Sequence, residues 1–354
     1  SATLVDTVVD SGYLPRFILA LAARHQIRER VAMISATPEV ALKRKLEFVE
    51  QLRTMSIAVE TKTANEQHYE VNVGLYTAAL GPRLKYSCAL YENGNETLEE
   101  AEEKMLASYI ERGELKDGMR IWIVGKCFTY RCGWGSASFY FAEKLPGAKI
   151  VGFSNSKTQK AYIDEQAAKR GLKNIEVITG NITDYEFEPE SFDRVVSIEM
   201  FEHMKNYQAL FAKLARALRP GGKMFAHILA HKDSPYHFEE GWMTTHFFTG
   251  GTMPSSDLFL YFQDDLKIKK HWLLSGKHYE KTLRAWLNNF TANKKKVWPT
   301  LVEDYGEQNA SVWFNRWQLY FLACAEFFGY DNGNVFGIAQ YLFEKPEEAR
   351  PGSS

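Results

Sequence analysis

Between Met119 and Leu229 the chain alternates between short apolar runs and amphipathic runs of helical spacing, and this constrains the fold more than anything else in it. Met119 to Val124, Lys149 to Phe153, Ile175 to Thr179, Arg194 to Ile198 and Gly222 to Leu229 read as buried strands. Ser136 to Leu145, Lys157 to Arg170 and Tyr207 to Leu218 read as the helices between them. Repeated β-α-β of this kind predicts a doubly wound, mostly parallel α/β sheet. In an open sheet of that class, ligands bind beyond the carboxyl ends of the strands.

The flanks read differently. Residues 1 to about 60 are helical in pattern: Ser11 to Met33 forms one run, and Thr37-Pro38-Glu39 opens another that continues to Met55. The first of these interleaves Phe17, Leu21 and Ile27 with Arg24, Arg28 and Arg30, which predicts a helix packed on the body rather than one lying on a membrane surface. Thr97-Leu98-Glu99-Glu100 is a capping box that opens a helix to Arg112. Residues 231 to 290 read as a long aromatic insertion, Trp313 to Phe328 as an amphipathic helix, and Val335 to Phe343 as a closing strand. The run Lys294-Lys295-Lys296 reads as a solvated face.

One strand runs straight into chemistry. Arg194 to Ile198 leads into Glu199, Glu202 and His203, so two carboxylates and an imidazole stand at the strand's carboxyl end. Such a set can bind a cation and remove a proton near neutral pH. Cys132-Gly133-Trp134-Gly135-Ser136 follows another strand and opens a helix, where glycines admit a close backbone approach and the helix N-terminus favours an anionic group. The next strand ends at Ser154, Asn155 and Gln159, where a dinucleotide fold would place an acid for the ribose. Without that acid or a second Gly-rich loop, S-adenosylmethionine is favoured over NAD as the cofactor. The third strand ends at Gly180-Asn181-Ile182, where an adenine edge could be read.

CGWGS, GFSNSKTQ, SIEMFEHMKNY, HFFTGGTMPS (from His246), YFQDDL (from Tyr261), HWLLSGKHY (from His271) and AEFFGYDNG (from Ala325) occur in this order. Together they resemble the coclaurine N-methyltransferase-like family within the cyclopropane-fatty-acid-synthase-like methyltransferases, over roughly residues 60 to 345. The resemblance implies a class I S-adenosylmethionine-dependent methyltransferase fold: a Rossmann-like seven-stranded sheet, an N-terminal helical cover and a late lid. On that basis 1–115 is the helical and cofactor-cover region, 116–230 the cofactor-binding core, 231–345 the lid and the completion of the sheet, and 346–354 a tail.

The resemblance also implies site residues. Tyr86-Ser87-Cys88 reaches over the methionine part of the cofactor, and Tyr69 lies in the matching cover segment. Gly133, Gly135, Asn155 and Gln159 match cofactor-pocket positions, with Asn181 and Ile182 at the adenine. Asn181 stands where the family usually has Asp; an amide keeps a hydrogen-bond acceptor, so weakened adenine recognition is expected. Glu199, Glu202 and His203 occupy amine-facing positions. The chemistry assigns attraction of a cationic amine to the two carboxylates and acceptance of its proton to His203, because an aliphatic ammonium of pKa about 10.4 cannot attack while protonated. Tyr69, Trp242, Phe247 and Phe248 are candidates for an aromatic cage, and Phe336 stands near a position that is Trp in the plant enzymes. His227, His231, His237, His271 and His278 read as scattered polar or core histidines without metal spacing.

The first motif departs from the family. Its strand normally runs through Asp-Leu-Gly into Cys-Gly-Trp-Gly, whereas about six extra residues precede Cys132 here and the acid is missing in either register. Arg131 also stands in place of a glycine. The segment could loop outward harmlessly, weaken cofactor binding, or serve a different local function.

Rival functions follow. One is N-methylation of a small organic amine. A second is methylation or cyclopropanation of a lipid double bond, which Cys88 keeps open because it fits the bicarbonate-binding cysteine of that branch. A third is a non-enzyme that has lost its cofactor, and a dinucleotide oxidoreductase is a distant fourth. Net charge of −1 gives no global basic field for nucleic acid or anionic lipid. No apolar run reaches membrane-span length, and the first residues do not read as a signal peptide, so stable membrane insertion is not expected. The four cysteines have neither metal-ligand spacing nor disulfide density, which predicts a reducing, cytoplasmic setting. A homodimer is left open.

Overall fold

The computed structural model describes residues 4–58, 72–124, 135–154, 157–247 and 250–347. The five expected parallel strands form as β1 (Arg120–Val124), β2 (Lys149–Ser154), β3 (Ile175–Thr179), β4 (Phe192–Ile198) and β5 (Leu218–His231). With β8 (Lys267–Ser275) and β9 (Phe336–Glu344) they make a seven-stranded sheet of order β3-β2-β1-β4-β5-β9-β8. β9 runs antiparallel to both β5 and β8. Val124 pairs with Phe153 on one side and Ser197 on the other, so β1, β2 and β4 end together on one edge. The order reverses between β1 and β4, which opens a crevice at that point.

Alternation along the strands divides the core into two layers. Ile121, Ile123, Val196, Phe225 and Leu342 face the helices Val73–Ala79, Leu98–Arg112, Gly276–Ala292 and Ala310–Gly329. Trp122, Val124, Val195, Met224 and Tyr341 face the helix Tyr207–Ala217 and the end of Pro38–Thr54. The capping box is present at helix Leu98–Arg112: Thr97 Oγ1 accepts from the Glu100 N–H, and the Glu100 carboxylate accepts from the Thr97 N–H.

The N-terminal run is not one helix from Ser11 to Met33. Helices Leu4–Ser11 and Arg16–Ile34 are separated where Gly12 takes a φ of 68° and Pro15 precedes the second helix. The second helix lies on Ala310–Gly329, tied by Arg24 to Glu326 and by Arg16 to Gln318. The stretch 231–290 has more order than an aromatic insertion. It holds the hairpin strands β6 (Tyr236–His237) and β7 (Thr252–Met253), the helix Trp242–His246, strand β8, and most of the helix Gly276–Ala292. β8 escapes a periodicity reading because it is a sheet edge carrying Lys267, Lys269 and Lys270, which blunt edge pairing with another chain.

Candidate active site

The crevice holds a cavity lined by the ends of β1, β2 and β4, the first turn of helix Ser136–Lys144, and the turn Lys85-Tyr86-Ser87. Gly135 caps that helix with a φ of 83°, and a Cβ there would come within 2.6 Å of the Phe139 ring. Glycine is therefore required for this helix entry. The Ser136 Oγ is buried against the cavity without a hydrogen-bond partner among the described residues. A polar ligand would satisfy it, so the cavity suits S-adenosylmethionine, with Tyr86, Ser87, Gly135, Ser136, Ser138 and Ser154 on its walls.

Glu199 follows β4 directly, lines the same cavity, and is 1% exposed. Its backbone takes φ 46°, a left-handed conformation that disfavours residues other than Gly, Asn or Asp. Its N–H donates to the His227 carbonyl at 2.7 Å. The carboxylate is held from distant parts of the chain: Oε1 accepts from the Cys88 N–H at 2.9 Å and Oε2 from the Tyr279 hydroxyl at 2.9 Å. The His227 Nε2 faces Oε1 across 3.3 Å. Hydrogen bonds from neutral donors favour the ionised carboxylate.

His227 is not a scattered histidine. Arg112 donates to Gln340 Oε1, which turns the Gln340 amide N–H toward His227 Nδ1 at 2.9 Å. Nδ1 is thus an acceptor, and the imidazole proton sits on Nε2, facing Glu199. Burial lowers the His227 pKa against the opposing pull of Glu199, which favours the neutral ring. The Tyr109 hydroxyl also contacts Nδ1 at 3.2 Å.

The turn that supplies the Cys88 N–H is gripped on two sides. Glu102, fully buried, accepts from the backbone N–H groups of Gly81 at 3.2 Å and Arg83 at 3.0 Å. On the inner side, Lys85 Nζ donates to Ser87 Oγ and to the Cys88 carbonyl, each at 2.6 Å, and lies 5.2 Å from the centre of the Tyr109 ring. The Ala89 N–H donates to Thr282 Oγ1 at 3.1 Å. The Cys88 thiol contacts its neighbour's carbonyl, so it is the backbone, not the sulfur, that meets Glu199.

Glu202 and His203 lie in a short 3-10 turn, Phe201–His203, and both are buried. Glu202 Oε1 accepts from the Leu229 N–H at 2.6 Å. An aromatic wall begins beside the cavity. Tyr86 stacks on Trp286, and its hydroxyl bonds that of Tyr320 at 2.9 Å. Tyr320 stacks on Phe247 at 4.4 Å, and Phe247 meets Trp242 at 5.6 Å. Phe336 is buried between Phe327 and His231, at the start of β9.

The remaining candidates divide. Gln159 Oε1 accepts from Ser154 Oγ at 2.8 Å. Asn181 closes its own turn, accepting from the Thr183 N–H and donating to Asp184. The Ile182 side chain is buried in the core layer of Trp122 and Phe187. Tyr69, Gly133, Asn155 and Phe248 lie outside the described residues, as does the altered segment that contains Cys127, Arg131 and Cys132. Sequence reasoning missed Lys85, Tyr109, His227, Tyr279 and Tyr320. Tyr279 sits in HWLLSGKHY, but nothing local marks it as a partner of Glu199.

A sheet of this order, with a glycine-capped helix after β1 and a carboxylate directly after β4, defines a class I S-adenosylmethionine-dependent methyltransferase. The model of the mycolic acid cyclopropane synthetase family matches residues 58–338, and the chain belongs to that family. It is 35% identical to (S)-coclaurine N-methyltransferase of Thalictrum flavum subsp. glaucum over 346 residues, 95% of this chain and 94% of that one. A solved structure of coclaurine N-methyltransferase bound to N-methylheliamine and SAH superposes with a TM-score of 0.91 at 33% identity, covering 96% of this chain and 99% of that one. The cyclopropane-fatty-acyl-phospholipid synthase of Escherichia coli (strain K12) is 31% identical over 263 residues, 73% of this chain and 63% of the relative.

Proposed function

We propose that the acceptor is the nitrogen of a small organic amine. The observation that carries this reading is Glu199: a buried carboxylate on the cavity wall, held in place by Cys88 and Tyr279. A cationic amine is drawn to such an anion and to the electron-rich faces of the adjoining rings. Its proton must leave before the nitrogen can attack, and His203, with Glu202 beside it, is the acceptor this reading assigns. The cofactor supplies a methyl group on a sulfonium, which the neutral nitrogen displaces in line; the chain's own work is to bind, orient and deprotonate the amine. The relatives named as coclaurine N-methyltransferases support the amine over a lipid acceptor. Among the described residues, no helix is long and apolar enough to cross a membrane. We place the chain in a reducing, cytoplasmic setting, in which a thiol such as the buried Cys88 stays reduced.

The test is a panel of primary, secondary and tertiary amines, run alongside vesicles of unsaturated phospholipid, with labelled S-adenosylmethionine. Label should appear on an amine and not in lipid. Label in lipid alone would move the assignment to carbon methylation.

A further inference from the structure

Lys85 is a buried cation that the amine reading does not use. It is 2% exposed, and its side chain folds back over its own turn rather than reaching for solvent. Both of its hydrogen-bond acceptors, Ser87 Oγ and the Cys88 carbonyl, belong to that turn. A lysine ammonium is strongly hydrated, and burying it costs stability unless something is gained in return. Here the gain is positional. The peptide between Cys88 and Ala89 is fixed at both ends, its carbonyl by Lys85 and its N–H by Thr282. The preceding peptide then has its N–H aimed at Glu199. Tyr279 and Thr282 lie on one helix, Gly276–Ala292, so Glu199 and the turn are set against a common support.

We propose that Lys85 is a positioning residue for methyl transfer: its ammonium staples the Lys85–Cys88 turn, holds the Cys88 N–H on Glu199, and supplies the buried cation opposite that carboxylate. The proposal rests on the amine reading for its effect on turnover, but the staple itself does not depend on it. The titratable groups that face Lys85 are Glu199 from the end of β4, Glu102 and Tyr109 from helix Leu98–Arg112, Cys88 from its own turn, and His227 from β5. Burial lowers the Lys85 pKa to about 8, against the opposing pull of Glu199, so the ammonium can be discharged within a workable pH range.

Two measurements on the full chain test this, with Lys85→Met and Lys85→Arg beside the wild type. The first is amide hydrogen exchange at Cys88 and Ala89. Lys85→Met should speed exchange there by about tenfold or more relative to the rest of the sheet, and Lys85→Arg should largely restore protection. The second is single-turnover methyl transfer to whichever amine the panel identifies. The wild-type rate should fall as pH rises through about 8, the limb should move upward in Lys85→Arg, and Lys85→Met should be slow by about tenfold or more with no such limb. Unchanged exchange in Lys85→Met overturns the staple. Faster exchange with wild-type turnover and pH profile overturns the positioning role. If no amine is methylated by the wild type, the amine reading fails while the exchange result still decides the staple. Should Lys85→Met not fold, exchange in the wild type from pH 6.5 to 10 reads the same loss of charge, and protection at Cys88 that stays constant through that range overturns the proposal.

Discussion

The two halves of the ligand edge are built on different plans. Beyond β4 and β5, side chains from across the chain converge on one carboxylate: Cys88, Tyr279 and His227 all point at Glu199, and Gln340 and Arg112 orient His227 behind it. Beyond β2 and β3, by contrast, the described hydrogen bonds are local: Ser154 donates to Gln159, and Asn181 accepts within its own turn. The first half is electrostatically preorganised around Glu199, which the proposed function gives to the acceptor. Together with the helix that follows β1, the second offers the cofactor shape, a glycine cap and the Ser136 hydroxyl. Changes on the acceptor side should therefore alter rate, and changes on the cofactor side should alter affinity.

The sharpest break would come at His203. His203→Ala should lower turnover by about 10²–10⁴ while leaving SAH affinity by calorimetry near wild type. Equal loss of both would remove the proton-acceptor role. Tyr279→Phe takes a donor from the buried Glu199 carboxylate and should cost about tenfold to a hundredfold in turnover, the effect expected for a hydrogen bond to a charged group. A matching loss in SAH affinity would show that the two halves are not separable. On the cofactor side, replacing the extra residues before Cys132 with a short Asp-Leu-Gly turn should tighten SAH binding by up to about tenfold, with the rate at saturation little changed. No change would mark the longer segment as harmless.

The smallest effect is a pH dependence of stability. Burial raises the Glu102 pKa from 4.5 to about 7, so this carboxyl takes up a proton on folding between those values. Its contribution to stability is fully present below about pH 4.5 and is lost as pH rises through about 7. Glu102→Gln should flatten that part of a melting-temperature profile. An unchanged slope would mean that Glu102 is not the group responsible.

Much of this fold could be read from local pattern. The five parallel strands, the capping box at Thr97 and the carboxylates after β4 all announce themselves within a few residues. The cofactor class followed from motif order. The acceptor half could not be read in the same way, because its contacts are long in sequence: Cys88 lies 111 residues from Glu199, and Tyr279 lies 80. A histidine in an apolar strand, as at His227, looks alike whether it fills a core or orients a carboxylate; only the neighbouring strand's Gln340 distinguishes the two. Lys85 was hidden for a similar reason. Lysine is usually solvated, and no spacing reveals one folded back under its own turn.

The backbone at Glu199 has a consequence for variant libraries. Because φ is 46° there, selection for folding alone should enrich Gly and Asn at this position, whereas selection for methyl transfer should keep Glu. Two screens of one library, the first for abundance and the second for activity, would then rank the same substitutions in opposite order at residue 199. Such a disagreement marks a place where the sequence is kept for its chemistry at the expense of its fold.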